Sequence, residues 1–192
     1  MSSKFCNTGT IAVYNDVLSD ADFYPFSMLL GNDFPWFYNE FTDFTGDNKG
    51  RFIHSFYSGN MFNSDKAFIL DPLLNKFYIH SLMRVKANFT TIKDNHKKTG
   101  AYHKDIDPNM CEVCDKLNCS EHENYQKSSI TDQITNVVFY LNTNNGYTEF
   151  ESGEIVPAVK NSMVVFNNKI KHRAVEHTEG DYHRIVINMN FL

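Results

Sequence analysis

His103, Lys104 and Asp105 set an imidazole and a carboxylate two residues apart. In an extended strand, residues i and i+2 point to the same face, so these two side chains would project together with Lys104 turned away. Such a pair can hold two adjacent positions on a metal ion. A second histidine from far along the chain would complete a facial set of two histidines and one carboxylate. That set leaves coordination positions open, as non-haem iron(II) oxygen chemistry requires. An H-x-D triplet alone is a weak signal, so its weight depends on what the rest of the chain brings to it.

A second chemical end is legible near the C-terminus, where residues 183–191 read as a strand. Arg184, Val186 and Asn188 share one face, and Ile185, Ile187 and Met189 share the other. An arginine on a largely apolar face calls for an anion, and its planar fork suits a carboxylate held by two hydrogen bonds. Along residues 134–141, Val138 and Tyr140 share a face, and the Tyr140 hydroxyl can donate to the same anion.

A third cluster is Cys111-x-x-Cys114 followed by Cys119-x-x-His122. Four ligands at these spacings can close a tetrahedral zinc site. The alternatives are incidental thiols in a loop or a redox role.

The elements that must position these groups follow from pattern. Ser19 and Asp22 resemble a capping box, and Phe23, Phe26, Met28, Leu29 and Leu30 give the following segment an apolar face. Phe34 to Tyr38 reads as a core wedge beneath a sheet, with a substrate-facing wall as the alternative. Residues 65–81 carry apolar side chains at helical spacing, and Pro72 marks a new first turn. Strands are expected at 11–15, 51–57, 83–92, around His103, and at 134–141, 147–151, 163–166 and 183–191, with a loop running to His172. The fold class is therefore α+β and mostly β, with N-terminal helices packed on one sheet. Closely spaced late strands suggest a sandwich or barrel, and a double-sheet jelly roll leaves a mouth for a ligand.

The 192 residues fit one domain, 1–192, with a cysteine-bearing polar excursion at about 107–129. Hydrophobic residues make up 42% and aromatics 15%, which excludes a disordered chain. A net charge of −5 argues against a protein held to nucleic acid mainly by phosphate contacts. The N-terminus has no apolar signal region and no apolar run approaches a membrane span, so a cytoplasmic protein with reduced or metal-bound cysteines is expected.

In this order the pieces resemble a known family, the 2-oxoglutarate- and iron(II)-dependent oxygenases, and within it the small prolyl-4-hydroxylase-like members of bacteria and phages. The matching stretches are Phe34-Pro35-Trp36-Phe37-Tyr38-Asn39, Arg84-Val85-Lys86-Ala87-Asn88, His103-Lys104-Asp105, Tyr140 to Phe150, His172-Arg173 and Arg184-Ile185-Val186-Ile187-Asn188. The resemblance implies a double-stranded β-helix, or jelly roll, and iron ligation by His103, Asp105 and His172. It implies that Arg184, helped by Tyr140 and Asn188, clamps the distal carboxylate of 2-oxoglutarate, and that Val138 lines its pocket. Dioxygen is the second cosubstrate, and decarboxylation to succinate accompanies hydroxylation of a primary substrate. A peptidyl or small-molecule substrate is favoured over nucleic acid.

Two features depart from the family pattern. Thr90 stands where prolyl hydroxylases often place a tyrosine near the keto-acid end. His177, Glu179 and His183 offer rivals to His172, while His54, His80 and His96 read as non-ligands. A non-catalytic binding module of the same fold, or a zinc-dependent interaction protein built on the cysteine cluster, are the readings from other classes.

Overall fold

In the computed structural model, which describes residues 10–40, 50–92, 98–106 and 132–192, short strands dominate. They are β1 (Ala12–Tyr14), β2 (Phe37–Asn39), β3 (Arg51–Ser58), β4 (Met61–Phe62), β5 (Leu82–Thr91), β6 (Lys98–His103), β7 (Thr135–Tyr140), β8 (Tyr147–Phe150), β9 (Ile155–Pro157), β10 (Ser162–Asn167), β11 (His172–Val175) and β12 (His183–Phe191). Two single-turn helices, α1 (Asp20–Phe23) and α2 (Asp71–Leu74), lie in the N-terminal half. The strands pair antiparallel in two sheets. The larger has the order β1-β10-β7-β12-β5-β3-β2, with β4 also on β3, and the smaller has the order β6-β11-β8-β9.

Alternation along the strands decides which face goes where. Ile185, Ile187 and Met189 on β12, Val85 and Ala87 on β5, and Val137 and Phe139 on β7 point to one side of the large sheet. There they meet Phe23, Phe26, Leu29, Ile69, Leu70 and Leu73 from the helical segments. Phe26 and Phe139 pack edge-on with ring centres 5.5 Å apart. The other side carries Val138, Tyr140, Val164, Phe166 and Val186, which pack against Phe150 and Val156 of the small sheet and Ala158 just beyond β9. The result is a mostly β sandwich with its N-terminal helices on the outer face of the large sheet.

Three expectations need correction. The capped segment from Ser19 forms only one α-turn and then tightens into a 3-10 helix over Tyr24–Leu30. Pro25 has no N–H to continue the ladder, which favours the change. The Ser19 hydroxyl does accept from the Asp22 backbone N–H at 3.2 Å. Residues 65–81 give a 3-10 turn over Ala67–Leu70 and then α2, with Pro72 in its first turn as expected, but the helical spacing does not continue as helix beyond Leu74. The stretch containing His172 is a strand, β11, not a loop.

Candidate active site

β6 and β11 pair antiparallel, with His103 directly opposite His172. The two imidazole centres are 4.8 Å apart. Asp105 joins them, and one ligand atom from each of the three residues lies within 4.8 Å of the others. His172 Nε2 is 3.9 Å from Asp105 Oδ1. Phe166 packs edge-on against the His172 ring at 4.7 Å and fixes its plane from the core side. Strand alternation is not what unites His103 and Asp105. β6 ends at His103, and Asp105 reaches the pair from a bend just beyond it.

The Asp105 side chain is 5% exposed, and the large sheet supplies its partners. Arg84 Nη2 lies 3.2 Å from Oδ1, and Asn190 Nδ2 donates to Oδ2 at 3.1 Å. Burial works against the carboxylate charge. His172, Arg84 and His103 outweigh it with the Asn190 hydrogen bond, and hold the carboxyl well below the usual carboxylate range. Neither Arg84 nor Asn190 stood out as a site residue in the sequence. The signal for Asn190 was present, because it lies one strand repeat beyond Asn188 on the face shared with Arg184.

Between the sheets the cavity lined by His103 and His172 is lined also by Arg184, Val138, Val186 and Asn188. β5 contributes Asn88 and Thr90 to its wall, paired in register with Val186 and Arg184 respectively. Arg184 is 5% exposed, and its Nε has no hydrogen-bond partner. Nor do Asn88 Oδ1, Thr90 Oγ1 or Asn188 Oδ1. Burial, opposed by Tyr140 and reinforced by the like charge of Arg51, pushes the Arg184 pKa down from its ordinary value, though a guanidinium stays charged. Tyr140 is wholly buried, its ring 5.7 Å from the guanidinium carbon. Its hydroxyl donates to Thr148 Oγ1 at 2.7 Å, and Thr148, which sequence reasoning missed, lines the cavity. Burial raises the Tyr140 pKa and keeps the phenol protonated.

The remaining candidates are dispersed. His54 is buried and engaged at both ring nitrogens, by the Pro35 carbonyl and the Ser64 hydroxyl, each at 2.7 Å. His183 stacks on Phe89, and His177 is buried beside Arg184. His80 is exposed. Among the described residues, His103, Asp105 and His172 form the one metal-competent group of three. Cys111, Cys114, Cys119, His122 and His96 lie outside the described residues. The aromatic stretch divides. Phe34 is buried in the core, with Trp36 packed on it, whereas Phe37 and Tyr38 are exposed. Tyr38 packs edge-on against Phe52, which lines the cavity, and lies across Gly50, where any Cβ would meet its ring.

No protein-family model matches the chain, and no curated protein matches it in sequence. Solved structures do. An oxidoreductase of the 2OG-Fe(II) oxygenase family from Burkholderia pseudomallei superposes with a TM-score of 0.61 at 12% identity, over 100% of this chain and 95% of that one. HygX from Streptomyces hygroscopicus, with nickel and 2-oxoglutarate bound, gives 0.54 at 10% identity, over 96% and 83%. A prolyl hydroxylase from Trichoplax adhaerens, in complex with a hypoxia inducible factor peptide fragment, gives 0.53 at 9% identity, over 96% and 84%. By architecture, the chain has the fold of the 2-oxoglutarate-Fe(II) oxygenases.

Proposed function

We propose that the protein is an iron(II)- and 2-oxoglutarate-dependent oxygenase that hydroxylates a substrate C–H bond, on a jelly-roll form of the sandwich. One observation carries this reading: the cavity lined by both histidines of a two-histidine, one-carboxylate set is also lined by a buried arginine whose Nε has no partner. The donor set suits iron(II), and the unpaired Arg184 Nε and Thr90 hydroxyl, both able to donate, suit an anion. A dicarboxylate that chelates at the histidine end and reaches Arg184 at the other satisfies both.

His103, Asp105 and His172 would hold the metal, leaving the remaining positions for the keto acid and dioxygen. Arg184 would take the distal carboxylate through its fork, with Asn188 beside it and Thr148, oriented by Tyr140, at the wall. Thr90, opposite Arg184, and Asn88 offer further polar contacts along the same face. Val138 and Val186 exclude water from the cosubstrate's methylenes. The loaded centre supplies oxidative decarboxylation of 2-oxoglutarate to succinate, with transfer of an oxygen atom to the substrate. The fold neighbour with a peptide bound makes a peptidyl substrate one option. The net charge of −5 favours that, or a small molecule, over nucleic acid.

The test is an anaerobic titration of metal-free protein with iron(II) and then 2-oxoglutarate, following the visible charge-transfer band of a chelated keto acid. The band is expected in the wild type, weaker in Arg184→Ala and absent in His172→Ala. A folded wild type without the band would overturn the reading. A band without succinate release in air, across a broad substrate panel, would instead favour a non-catalytic binding module.

A further inference from the structure

The chain delivers Asp105 from the small sheet, yet the large sheet holds it. Arg84 and Asn190 are direct cross-strand partners on β5 and β12. Arg84 Nε donates to Asn190 Oδ1 at 2.9 Å, and its Nη2 lies 3.2 Å from Asp105 Oδ1. Asn190 Nδ2 donates to Asp105 Oδ2 at 3.1 Å and to Asn136 Oδ1 at 2.8 Å. One rung of the ladder therefore engages both oxygens of the carboxylate. No strand pairing fixes Asp105 itself, because it lies in the bend after β6. The next residue is anchored separately: Asn168 donates to the Ile106 carbonyl at 2.7 Å and accepts from its N–H at 3.1 Å.

We propose that Arg84, anchored by Asn190, is a positioning residue that sets the direction in which Asp105 offers its carboxylate to the metal. This rests on the metal site proposed above. Neutralising a buried carboxylate needs only a cation, and a lysine would serve. Arg84 does more, because two of its nitrogens take two different partners. An ammonium on a flexible stem cannot reproduce that fork. The partners of metal ligands typically matter by roughly 10–100-fold in metal affinity.

The experiment titrates metal-free protein with cobalt(II), reading the dissociation constant and the visible d–d bands that report ligand geometry. Subtraction of the His172→Ala titration removes binding elsewhere in the chain. The variants are Arg84→Gln, Arg84→Lys and, as a charge control on the same face of β5, Lys86→Gln. Lys86→Gln is expected to bind within about threefold of wild type, and Arg84→Gln roughly 10–100-fold more weakly. Arg84→Lys is expected to recover only part of the affinity, with shifted bands. It keeps the charge that the buried carboxylate needs, so it remains a folded reporter even where Arg84→Gln does not. Either arginine variant matching the wild type in both constant and bands would overturn the proposal. Wild-type binding unaffected by His172→Ala would overturn the metal site itself, and this inference with it.

Discussion

Thr90 and Arg184 stand directly opposite each other on β5 and β12, and each contributes to one cavity wall a buried polar atom without a hydrogen-bond partner. An unmet buried donor costs about 1–3 kcal/mol, and a charge-assisted pair restores more than a neutral one. Arg184→Met should therefore weaken 2-oxoglutarate binding by roughly 30-fold or more, and Arg184→Lys by less, because it keeps charge but loses the fork. Thr90→Val should cost less than about tenfold. Calorimetric titration of anaerobic, manganese-loaded protein checks all three, and unchanged affinity in Arg184→Met would remove the clamp.

Val138 and Phe139 are neighbours on β7 but face opposite layers, the cavity wall and the helix-covered core. Their substitutions should separate function from stability. Phe139→Ala deletes a fully buried ring and should cost roughly 3–5 kcal/mol in urea unfolding, with little change in 2-oxoglutarate affinity of the folded fraction. Val138→Phe should fill the cavity and weaken that affinity while moving stability less. The reverse pattern would mean that the faces are misassigned.

His177 is buried, and burial, with the like charge of Arg184, pushes its pKa below the ordinary histidine value against weaker backbone contacts from Asp181 and Tyr182. The unfolded chain then binds a proton that the folded chain resists. Stability is complete above about pH 6.5 and falls as pH drops through that value, by at most about 1.4 kcal/mol per pH unit from this group. His177→Gln should flatten the fall between pH 6.5 and 5. Unfolding curves at three pH values suffice, and an identical slope in the variant would rule His177 out.

Asp105 behaves oppositely in its window. Its pKa is depressed, so its contribution to stability is present above the unfolded carboxylate value near 4 and is lost as pH falls below it. In metal-free protein at pH 7, Asp105→Asn leaves Arg84 facing a neutral amide and should destabilise by less than the roughly 3–5 kcal/mol of a fully buried pair, because the Arg84 side chain is 28% exposed and water takes up part of its charge. The gap from wild type should narrow as the pH is taken from 6 towards 3. A constant gap would show that the ion pair contributes nothing.

Much of this arrangement is legible in the sequence wherever alternation is strict. On β12, Arg184, Val186 and Asn188 read as one face and Ile185, Ile187 and Met189 as the other, and the structure divides them so. β11 was harder to see. His-Arg-Ala-Val carries too few apolar residues to signal a strand, because one face meets the site and Arg173 pairs with Glu149 across the other. The short edge strands β2, β4 and β9 gave no signal either, being two or three residues long. Arg84 falls in a stretch that carries the family resemblance and Asn190 lies one repeat past Asn188, but their contact with Asp105 depends on a register between strands far apart in sequence, which composition does not encode. Tyr140 reads from sequence as an anion donor, yet its hydroxyl is engaged by Thr148, a contact that depends on how the two sheets pack.

The register between β5 and β12 has a consequence for how the molecule avoids errors. Sliding one strand by a single residue would turn Arg84 and Asn88, or Arg184 and Asn190, into the helix-covered apolar layer and bring aliphatic side chains out against the cavity. Buried charges without partners would make that misalignment far less stable than the correct one. A chain that settles into its most stable pairing has, by the same step, aligned Arg84 and Asn190 with Asp105 and set Arg184 opposite Thr90 in the cavity wall.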